Sequence, residues 1–220
     1  IRSTLDASLQ LRFQQLLDER LRGLARKKVK HAAALVVDHR SGEILAWVVA
    51  GDTDYDTVTT PRQPGSSLKP FLYAAALAKG WTPATLVEDA PIAEAVGTGL
   101  HTFRNYSQQY YGPVTLREAL GNSLNTPALR TIRFVTPKAY LRLLHQLGFD
   151  SLDAPIERYD DGLALGAGEV TLFELVRAYS ALAHQGKLAP LRFALDDGRA
   201  EYMLDAPLAD DLRAVLDRLG

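Results

Sequence analysis

The stretch that decides the fold of this chain reads QPGSSLKP over residues 63–70, and the apolar run FLYAAALA follows it directly over residues 71–78. A Pro-Gly pair favours a tight turn, and the Ala/Leu-rich run predicts a buried helix that ends near Gly80. Ser66 can enter that helix in its first turn. The stretch therefore places a serine at a helix start.

Ser66 and Lys69 form a candidate nucleophile and base. Residues three apart share a helical face, so we expect the Lys69 amine to lie within hydrogen-bond reach of the Ser66 hydroxyl. The positive dipole end of a helix stabilises an oxyanion, and the Ser66 backbone N–H is the candidate donor to it. A lysine in an apolar wall loses its charge more easily and can act as a base. Ser-x-x-Lys alone is a weak pattern, because a serine at a helix start is usually only a cap.

The composition is that of an ordinary globular chain and excludes several kinds of function. Of its 220 residues, 47% are hydrophobic and 23% are charged, and the formal net charge is -1. Such a charge offers no general basic surface for a nucleic acid. The absence of cysteine excludes disulfides, thiolate metal sites and cysteine nucleophiles. No apolar run approaches the roughly 18 residues that span a membrane.

The sequence predicts neither a metal nor a cofactor. Its histidines are scattered and form no His-Glu-x-x-His or comparable ligand pair. They are His31, His39, His101, His145 and His184. The glycines within residues 163–169 have the wrong spacing for a dinucleotide or phosphate loop. No Gly-x-Ser-x-Gly elbow is present, which leaves Ser66 with Lys69 as the only self-consistent nucleophile and base.

The first part of the chain predicts a helix, a hairpin and a loop. Leucines recur at helical spacing after a cap at Ser3 or Thr4, which predicts a leading helix within residues 1–30. Two short apolar runs joined by a Ser-Gly turn predict a β-hairpin over residues 31–51. A polar loop then leads to the serine helix.

Residues 52–200 are predicted to be mainly helical. Within them, residues 81–112 hold several Pro and Gly residues with little periodicity, so they are predicted to be irregular. Further helices are predicted to begin at a capping box, at two Thr-Pro pairs and at an apolar run. Their first residues are Thr115, Thr126, Thr136 and Thr171. A last helix is predicted over residues 208–219, in the final segment 201–220.

A second polar pair, Ser123 and Asn125, lies on a predicted turn between helices. Taken alone it is weak, because Ser and Asn on turns are mostly backbone caps. Together with QPGSSLKP, the runs NY at 105–106, GPVTLREALGNSLNTPA at 112–128 and GAGEVTL at 166–172 are more specific. With them the chain resembles the transpeptidase domain of class A penicillin-binding proteins, and it is most similar to their 1C branch.

The resemblance implies an α/β (α+β) fold of the penicillin-binding and serine β-lactamase-like type, with an antiparallel sheet and helices on both of its faces. It implies that Ser66 is the nucleophile, acylated by the penultimate D-alanine of a stem peptide or by a β-lactam, and that Lys69 takes its proton. Ser123 would pass a proton between Lys69 and the leaving amine. Asn125 would hydrogen-bond the amide of the acyl donor.

One family feature is missing from the sequence. The third motif, Lys-Thr/Ser-Gly on an edge strand beside the serine, has no counterpart, because no lysine here is followed two residues later by glycine. Residues 40–42, Arg-Ser-Gly, cannot replace it because they form the hairpin turn. In the family that strand follows a helix like the one predicted over residues 208–219. We therefore expect residues 1–220 to form one transpeptidase domain that ends just before the motif and is impaired in catalysis alone.

Two other functions fit the same sequence. A serine β-lactamase-like hydrolase shares the fold and the first two motifs, but it needs a deacylating base near Ser66. A non-catalytic module that binds a β-lactam or a peptide, or that acts as a scaffold, fits if the third motif is truly lost.

The resemblance also implies partners and a location. The partners would be peptidoglycan stem peptides or the lipid-linked precursor, β-lactam antibiotics and other cell-wall synthesis proteins, with no nucleic acid. A glycosyltransferase domain is expected upstream in the intact protein. Its place would be extracytoplasmic, on the periplasmic face of the inner membrane, anchored by an N-terminal segment outside this chain.

Overall fold

A computed structural model describes residues 2–52, 54–96 and 99–194 of the chain. The segment 201–220, with the helix predicted over residues 208–219, lies outside the described residues. No helix in the described part is long and apolar enough to cross a membrane.

The described chain alternates short sheets with helices. The helices are α1 (Ala7–Leu24), α2 (Lys69–Ala78), α3 (Leu116–Gly121), α4 (Asn125–Val135), α5 (Pro137–Gln146), α6 (Ile156–Tyr159) and α7 (Leu172–Ala183). Short 3₁₀ helices cover Ala25–Lys27, Gly65–Leu68 and Asp160–Leu165. The strands are β1 (His31–Val37), β2 (Ile44–Gly51), β3 (Leu86–Asp89), β4 (Ile92–Val96), β5 (Gly99–Phe103) and β6 (Gly112–Thr115).

The chain divides into two compact units. Within the described part, the first unit holds residues 2–62, 147–151 and 170–194. The second unit holds residues 63–146 and 152–169.

The first unit is built on the predicted hairpin, which the structure confirms as β1 paired antiparallel with β2. Helix α1 packs along β2. The side-chain amide of Gln10 accepts from the Trp47 backbone N–H at 2.9 Å and donates to the Trp47 carbonyl at 2.8 Å. These bonds satisfy backbone groups that would otherwise form an open strand edge. The helix cap is Asp6, which accepts from two backbone N–H groups, so the predicted cap at Ser3 or Thr4 is wrong.

Helix α7 also belongs to the first unit and packs against β1. Thr171 and Glu174 form a capping box at its start. The Glu174 carboxylate additionally accepts from the Ser151 backbone N–H at 2.8 Å and from the Ser151 hydroxyl at 2.9 Å. The helix predicted from Thr171 is therefore confirmed, and its first turn fixes the segment 147–151.

The second unit packs α2, α4 and α5 around an apolar core. Its fully buried side chains include Leu68, Phe71, Leu72, Leu129, Ile132 and Leu144. The buried hydroxyl of Tyr140 donates to the Leu68 carbonyl at 2.7 Å. Apolar burial and this bond hold the start of α2 in place.

The prediction that residues 81–112 are irregular is wrong. They contain β3, β4 and β5, and β6 begins at Gly112. β3 pairs antiparallel with β6, and β4 with β5, so with the hairpin the described strands form three two-stranded antiparallel sheets. β3 could not be recognised from the sequence, because it does not follow the usual rule that apolar residues of a strand are buried and charged ones exposed. Leu86 is exposed and Asp89 is fully buried. The predicted mixture of helices and antiparallel sheet is confirmed.

Most predicted helix starts in the second unit are found. Thr115 caps α3 through a capping box with Glu118, and α5 begins at Pro137. Helix α4 begins earlier than predicted, with Leu124 in the cap position. The predicted cap residue Thr126 is instead buried in the helix, and its hydroxyl bonds to Asp89.

Candidate active site

Ser66 lies in the 3₁₀ turn Gly65–Leu68 that precedes α2. An α-helical bond to the Ser66 carbonyl would have to come from residue 70, which is proline and has no N–H. The Lys69 N–H bonds to that carbonyl instead, which is the shorter 3₁₀ pattern. Within the described residues the Ser66 backbone N–H and hydroxyl have no hydrogen-bond partner, and the residue is exposed. Both groups are therefore open to a ligand.

The turn before Ser66 rests on another backbone segment of the same unit. Gly166 follows the 3₁₀ helix Asp160–Leu165 and has φ +85°, a left-handed conformation that favours glycine. A Cβ atom at Gly166 would overlap the backbone of Gly65. The absence of a side chain thus lets two backbones touch directly behind Ser66.

The Lys69 amine is enclosed by the protein, since the residue is 1% exposed. It donates to the Ser123 carbonyl at 2.7 Å, the Leu124 carbonyl at 3.1 Å and the Asn125 Oδ1 atom at 2.8 Å. The Ser123 hydroxyl lies at 3.3 Å. Desolvation by burial lowers the pKa of Lys69 to about 8. An amine with that pKa can exchange a proton near neutral pH.

Ser123 reaches Lys69 because of an unusual backbone conformation. The Ser123 N–H bonds to the Leu120 carbonyl, and the Leu124 N–H bonds to the Ala119 carbonyl, which is the Schellman pattern at the end of α3. Its left-handed position is normally glycine, but here Ser123 holds it with φ +52°. For a residue with a Cβ this costs about 1–2 kcal/mol. The geometry turns both the carbonyl and the hydroxyl of Ser123 toward Lys69.

Asn125 is the first residue of α4, and its side chain is held from two sides. Its Oδ1 atom accepts from Lys69, and its Nδ2 atom donates to the Arg104 carbonyl at 2.8 Å. The backbone N–H of Asn125 donates to the Asn105 Oδ1 atom at 2.7 Å. The amide orientation is therefore fixed before any ligand arrives.

The structure brings three of the four predicted site residues into direct contact. Lys69, Ser123 and Asn125 form one hydrogen-bonded group. The expected bond between Ser66 and Lys69 is not found, because the amine is directed at three oxygens, two from the turn between α3 and α4 and one from the first residue of α4. Ser66 lies one turn before Lys69 with its hydroxyl exposed.

The sequence did not reveal the residues that support this group. Asp89 is 0% exposed and Asn105 is 2% exposed, and they bond to each other and to the start of α4. Asp89 is the last residue of β3, a strand whose Leu86 is exposed, so no apolar periodicity marks Asp89 as buried. Only the run NY at 105–106, which contributes to the family resemblance, marks Asn105 in the sequence.

The sequence matches known proteins over most of its length. Residues 32–203 match the family "Transpeptidase", described as the penicillin binding protein transpeptidase domain. The chain is 33% identical over 216 residues to Penicillin-binding protein 1C of Escherichia coli (strain K12), covering 94% of this chain and 27% of that protein. It is 35% identical over 161 residues to Penicillin-binding protein 1A of Neisseria meningitidis (strain Z2491), covering 70% of this chain and 20% of that protein.

Solved structures share the fold. Penicillin-Binding Protein 1A from Haemophilus influenzae has a TM-score of 0.67 at 32% identity, over 74% of this chain and 25% of that chain. The PonA1 protein from Mycobacterium tuberculosis, solved in complex with penicillin V, has a TM-score of 0.76 at 24% identity, over 99% of this chain and 61% of that chain. The second likeness concerns the fold alone.

The fold is that of penicillin-binding protein transpeptidase domains. This chain belongs to the transpeptidase domain family of class A penicillin-binding proteins, as its sequence resemblance implied. The similarity to the 1C branch is confirmed. The chain spans about a quarter of the Escherichia coli relative's length, 27%.

The contact behind Ser66 predicts that Gly166→Ala is strongly destabilising. The variant puts a Cβ into the Gly65 backbone and forces a left-handed residue, which together should cost at least about 2 kcal/mol of unfolding free energy. Gly121→Ala is the matched control, because nothing lies within 4 Å of its Cβ position. Thermal unfolding followed by circular dichroism measures both. Equal midpoints for the two variants would show that the contact is not as close as described.

Proposed function

We propose that this chain is a D,D-transpeptidase that cross-links peptidoglycan stem peptides through an acyl-serine intermediate on Ser66. The observation that carries the proposal is the buried Lys69 amine. It has a pKa of about 8, bonds to both residues of the Ser-x-Asn turn, and follows the open Ser66 by three positions. A base, a relay hydroxyl and an amide anchor beside a free serine are the parts that acyl transfer needs.

In the first step the Ser66 Oγ atom attacks the carbonyl carbon of the penultimate D-alanine of a donor stem peptide. The hydroxyl proton passes to the neutral Lys69 amine. Neutral Lys69 donates two N–H bonds instead of three, so its lone pair is free to face Ser66. The backbone N–H of Ser66 binds the oxyanion that forms on the carbonyl oxygen.

In the second step the C–N bond breaks and the terminal D-alanine leaves. Its amine takes a proton from Lys69 through the Ser123 hydroxyl, which lies 3.3 Å from the Lys69 Nζ atom. The acyl group remains on Ser66 as an ester. The amine of a second stem peptide then attacks this ester, which forms the cross-link and returns the proton to Ser66.

Asn125 serves as the amide anchor of the donor. One N–H of its side chain is used by the Arg104 carbonyl, and the other is available to a ligand. A β-lactam would enter as a donor analogue, and its ring would open on Ser66 without releasing a leaving group.

The names of the relatives support extending this proposal from the chain to the whole protein. The partners are then stem peptides or the lipid-linked precursor, β-lactams and other cell-wall synthesis proteins. A glycosyltransferase domain upstream and an extracytoplasmic, membrane-anchored position belong to the same proposal.

We expect a labelled penicillin to attach covalently to Ser66 in the full-length protein. Ser66 is in the only Ser-x-x-Lys of the chain, and both of its reactive groups are open. Peptide mapping by mass spectrometry locates the adduct. Ser66→Ala should lose it, whereas the neighbouring control Ser67→Ala should keep it.

Full labelling of Ser66→Ala would refute the assignment of the nucleophile. The lifetime of the adduct also separates the two enzyme functions. A transpeptidase keeps the penicilloyl group through the measurement, whereas rapid release would indicate the β-lactamase-like hydrolase.

We expect the acylation rate constant to fall much more in Lys69→Ala than in Asn125→Ala. Lys69→Ala removes a general base, which is worth about 10²- to 10⁴-fold in rate. Asn125→Ala removes hydrogen bonds worth roughly 0.5 to 3 kcal/mol, so acylation should be slower but measurable. Stopped-flow acylation by a fluorescent penicillin measures both rate constants, with Lys79→Ala, an exposed lysine at the other end of α2, as the control. Equal and small effects at Lys69 and Asn125 would place the proton path elsewhere.

A further inference from the structure

Asp89 occupies a position that an apolar side chain would normally fill. It is the last residue of β3 and alternates with the exposed Glu88, so it points into the second unit's interior and is fully buried. A buried carboxyl group is costly unless its oxygens are hydrogen-bonded. Here both oxygens act as acceptors, for Asn105 Nδ2, the Tyr111 backbone N–H and the Thr126 hydroxyl.

Asn105 uses its whole side-chain amide. Its Nδ2 atom donates to Asp89 at 2.8–2.9 Å and to the Gln109 carbonyl at 2.9 Å. Its Oδ1 atom accepts from the Asn125 backbone N–H at 2.7 Å. The residue before it, Arg104, supplies the carbonyl that binds the Asn125 side chain. The loop that holds residues 104 and 105 therefore binds both the backbone and the side chain of Asn125.

These bonds reach the start of α4 at two successive residues. The first N–H groups of a helix have no partner within the helix, and Leu124 in the cap position offers no side-chain acceptor. Asn105 takes the place of a cap for Asn125, and Asp89 binds the next residue, Thr126. The helix start is thus anchored to β3 and to the loop after β5 rather than capped by its own sequence.

We propose that Asp89 and Asn105 are positioning residues for acylation: they fix Asn125, and through it Lys69, without touching the acyl donor. This inference rests on the proposed function of Ser66 and Lys69. The chain of bonds runs from Asp89 to Asn105, from Asn105 to the Asn125 backbone, and from the Asn125 side chain to the Lys69 amine. A displacement of the reacting groups by about 1 Å can cost 10²-fold in rate, so the pair acts on the rate constant of acylation.

The first test compares two buried threonines of α4. Thr126→Val removes the hydroxyl that bonds to Asp89 and keeps the shape of the side chain. Thr131→Val is the matched control, because Thr131 is equally buried but its hydroxyl bonds to the Pro127 carbonyl within the helix. Thr126→Ser restores the hydroxyl and should restore the rate.

The second test changes Asn105 to Asp, which keeps the acceptor for Asn125 but replaces the donor that faces Asp89 with an oxygen. The repulsion between the two carboxyl groups should displace the loop. Asn122→Asp makes the same chemical change at an exposed residue whose side-chain amide donates to the Glu118 carbonyl and makes no bond to Asp89 or Asn125.

The readout is acylation of the full-length protein by a fluorescent penicillin, with rate constant and amplitude measured separately. We expect Thr126→Val and Asn105→Asp to lower the rate constant about 10- to 100-fold at unchanged amplitude. The acylation rate constants of the controls Thr131→Val and Asn122→Asp, and of Thr126→Ser, should stay within about 3-fold of the wild-type value. A purely structural role would reduce the amplitude and the melting temperature and leave the rate constant of the folded molecules unchanged, which would overturn the inference.

Amide hydrogen exchange at Asn125 separates this inference from the proposed function. Thr126→Val and Asn105→Asp should exchange at least about 10-fold faster at this amide than the controls, whether or not Ser66 is acylated. If the unchanged protein fails to label at Ser66 but the exchange responds, the proposed function is wrong and the anchoring of Asn125 stands. If labelling occurs and neither the rate constant nor the exchange responds, the positioning inference alone is wrong.

Discussion

The buried amine of Lys69 is held by three oxygens, two from the turn between α3 and α4 and one from the first residue of α4. The rest of the candidate site depends on this contact. A charged amine without such partners could not be buried at this depth. Burial still disfavours its charge, which gives Lys69 a pKa of about 8. The contact therefore stabilises the packing of α2 on this turn, and the burial that accompanies it lowers the Lys69 pKa toward neutrality, as its proposed role as a base requires.

The turn can offer these oxygens only because Ser123 accepts a left-handed conformation in a position that usually belongs to glycine. Glycine would make the helix end more stable but would supply no hydroxyl. Backbone strain of this kind is concentrated at functional sites. On the other side of the site, Pro70 and the close pair Gly65 and Gly166 shape the 3₁₀ turn that leaves Ser66 open. The conformation around Ser66 is thus set by the strained backbone of Ser123 and by the close contact of Gly65 with Gly166, and not by hydrogen bonds from the described residues to the Ser66 side chain.

Local sequence was sufficient to predict Ser66 and Lys69 as candidate residues of this site. Ser66 and Lys69 follow from a turn, a helix start and a spacing of three, and the hairpin β1–β2 follows from two apolar runs around a Ser-Gly turn. Ser123 and Asn125 needed the family resemblance, because their conformation depends on the Schellman turn. The missing bond between Ser66 and Lys69 could not be foreseen, since it reflects competition from carbonyl oxygens far away in sequence.

The positions of the supporting residues Asp89 and Asn105 depend on strand pairing and loop contacts that no local sequence pattern shows. Asp89 is buried only because β3 pairs with β6, and Asn105 reaches α4 only because the loop after β5 returns to it. Both strands of that pair are four residues long, and one begins Gly-Pro, which local rules assign to a turn.

The measurement that tests the account most directly is the pH dependence of acylation of the full-length protein by a penicillin. Lys69 can accept the Ser66 proton only when it is neutral, so the rate constant should rise with pH and reach half its maximum near pH 8. At pH 6 about 1% of an amine with this pKa is neutral, so the rate constant should be about 100-fold below its plateau. A rate constant that stays level from pH 6 to pH 9, or that falls as the pH rises, would contradict the role of Lys69 as the base.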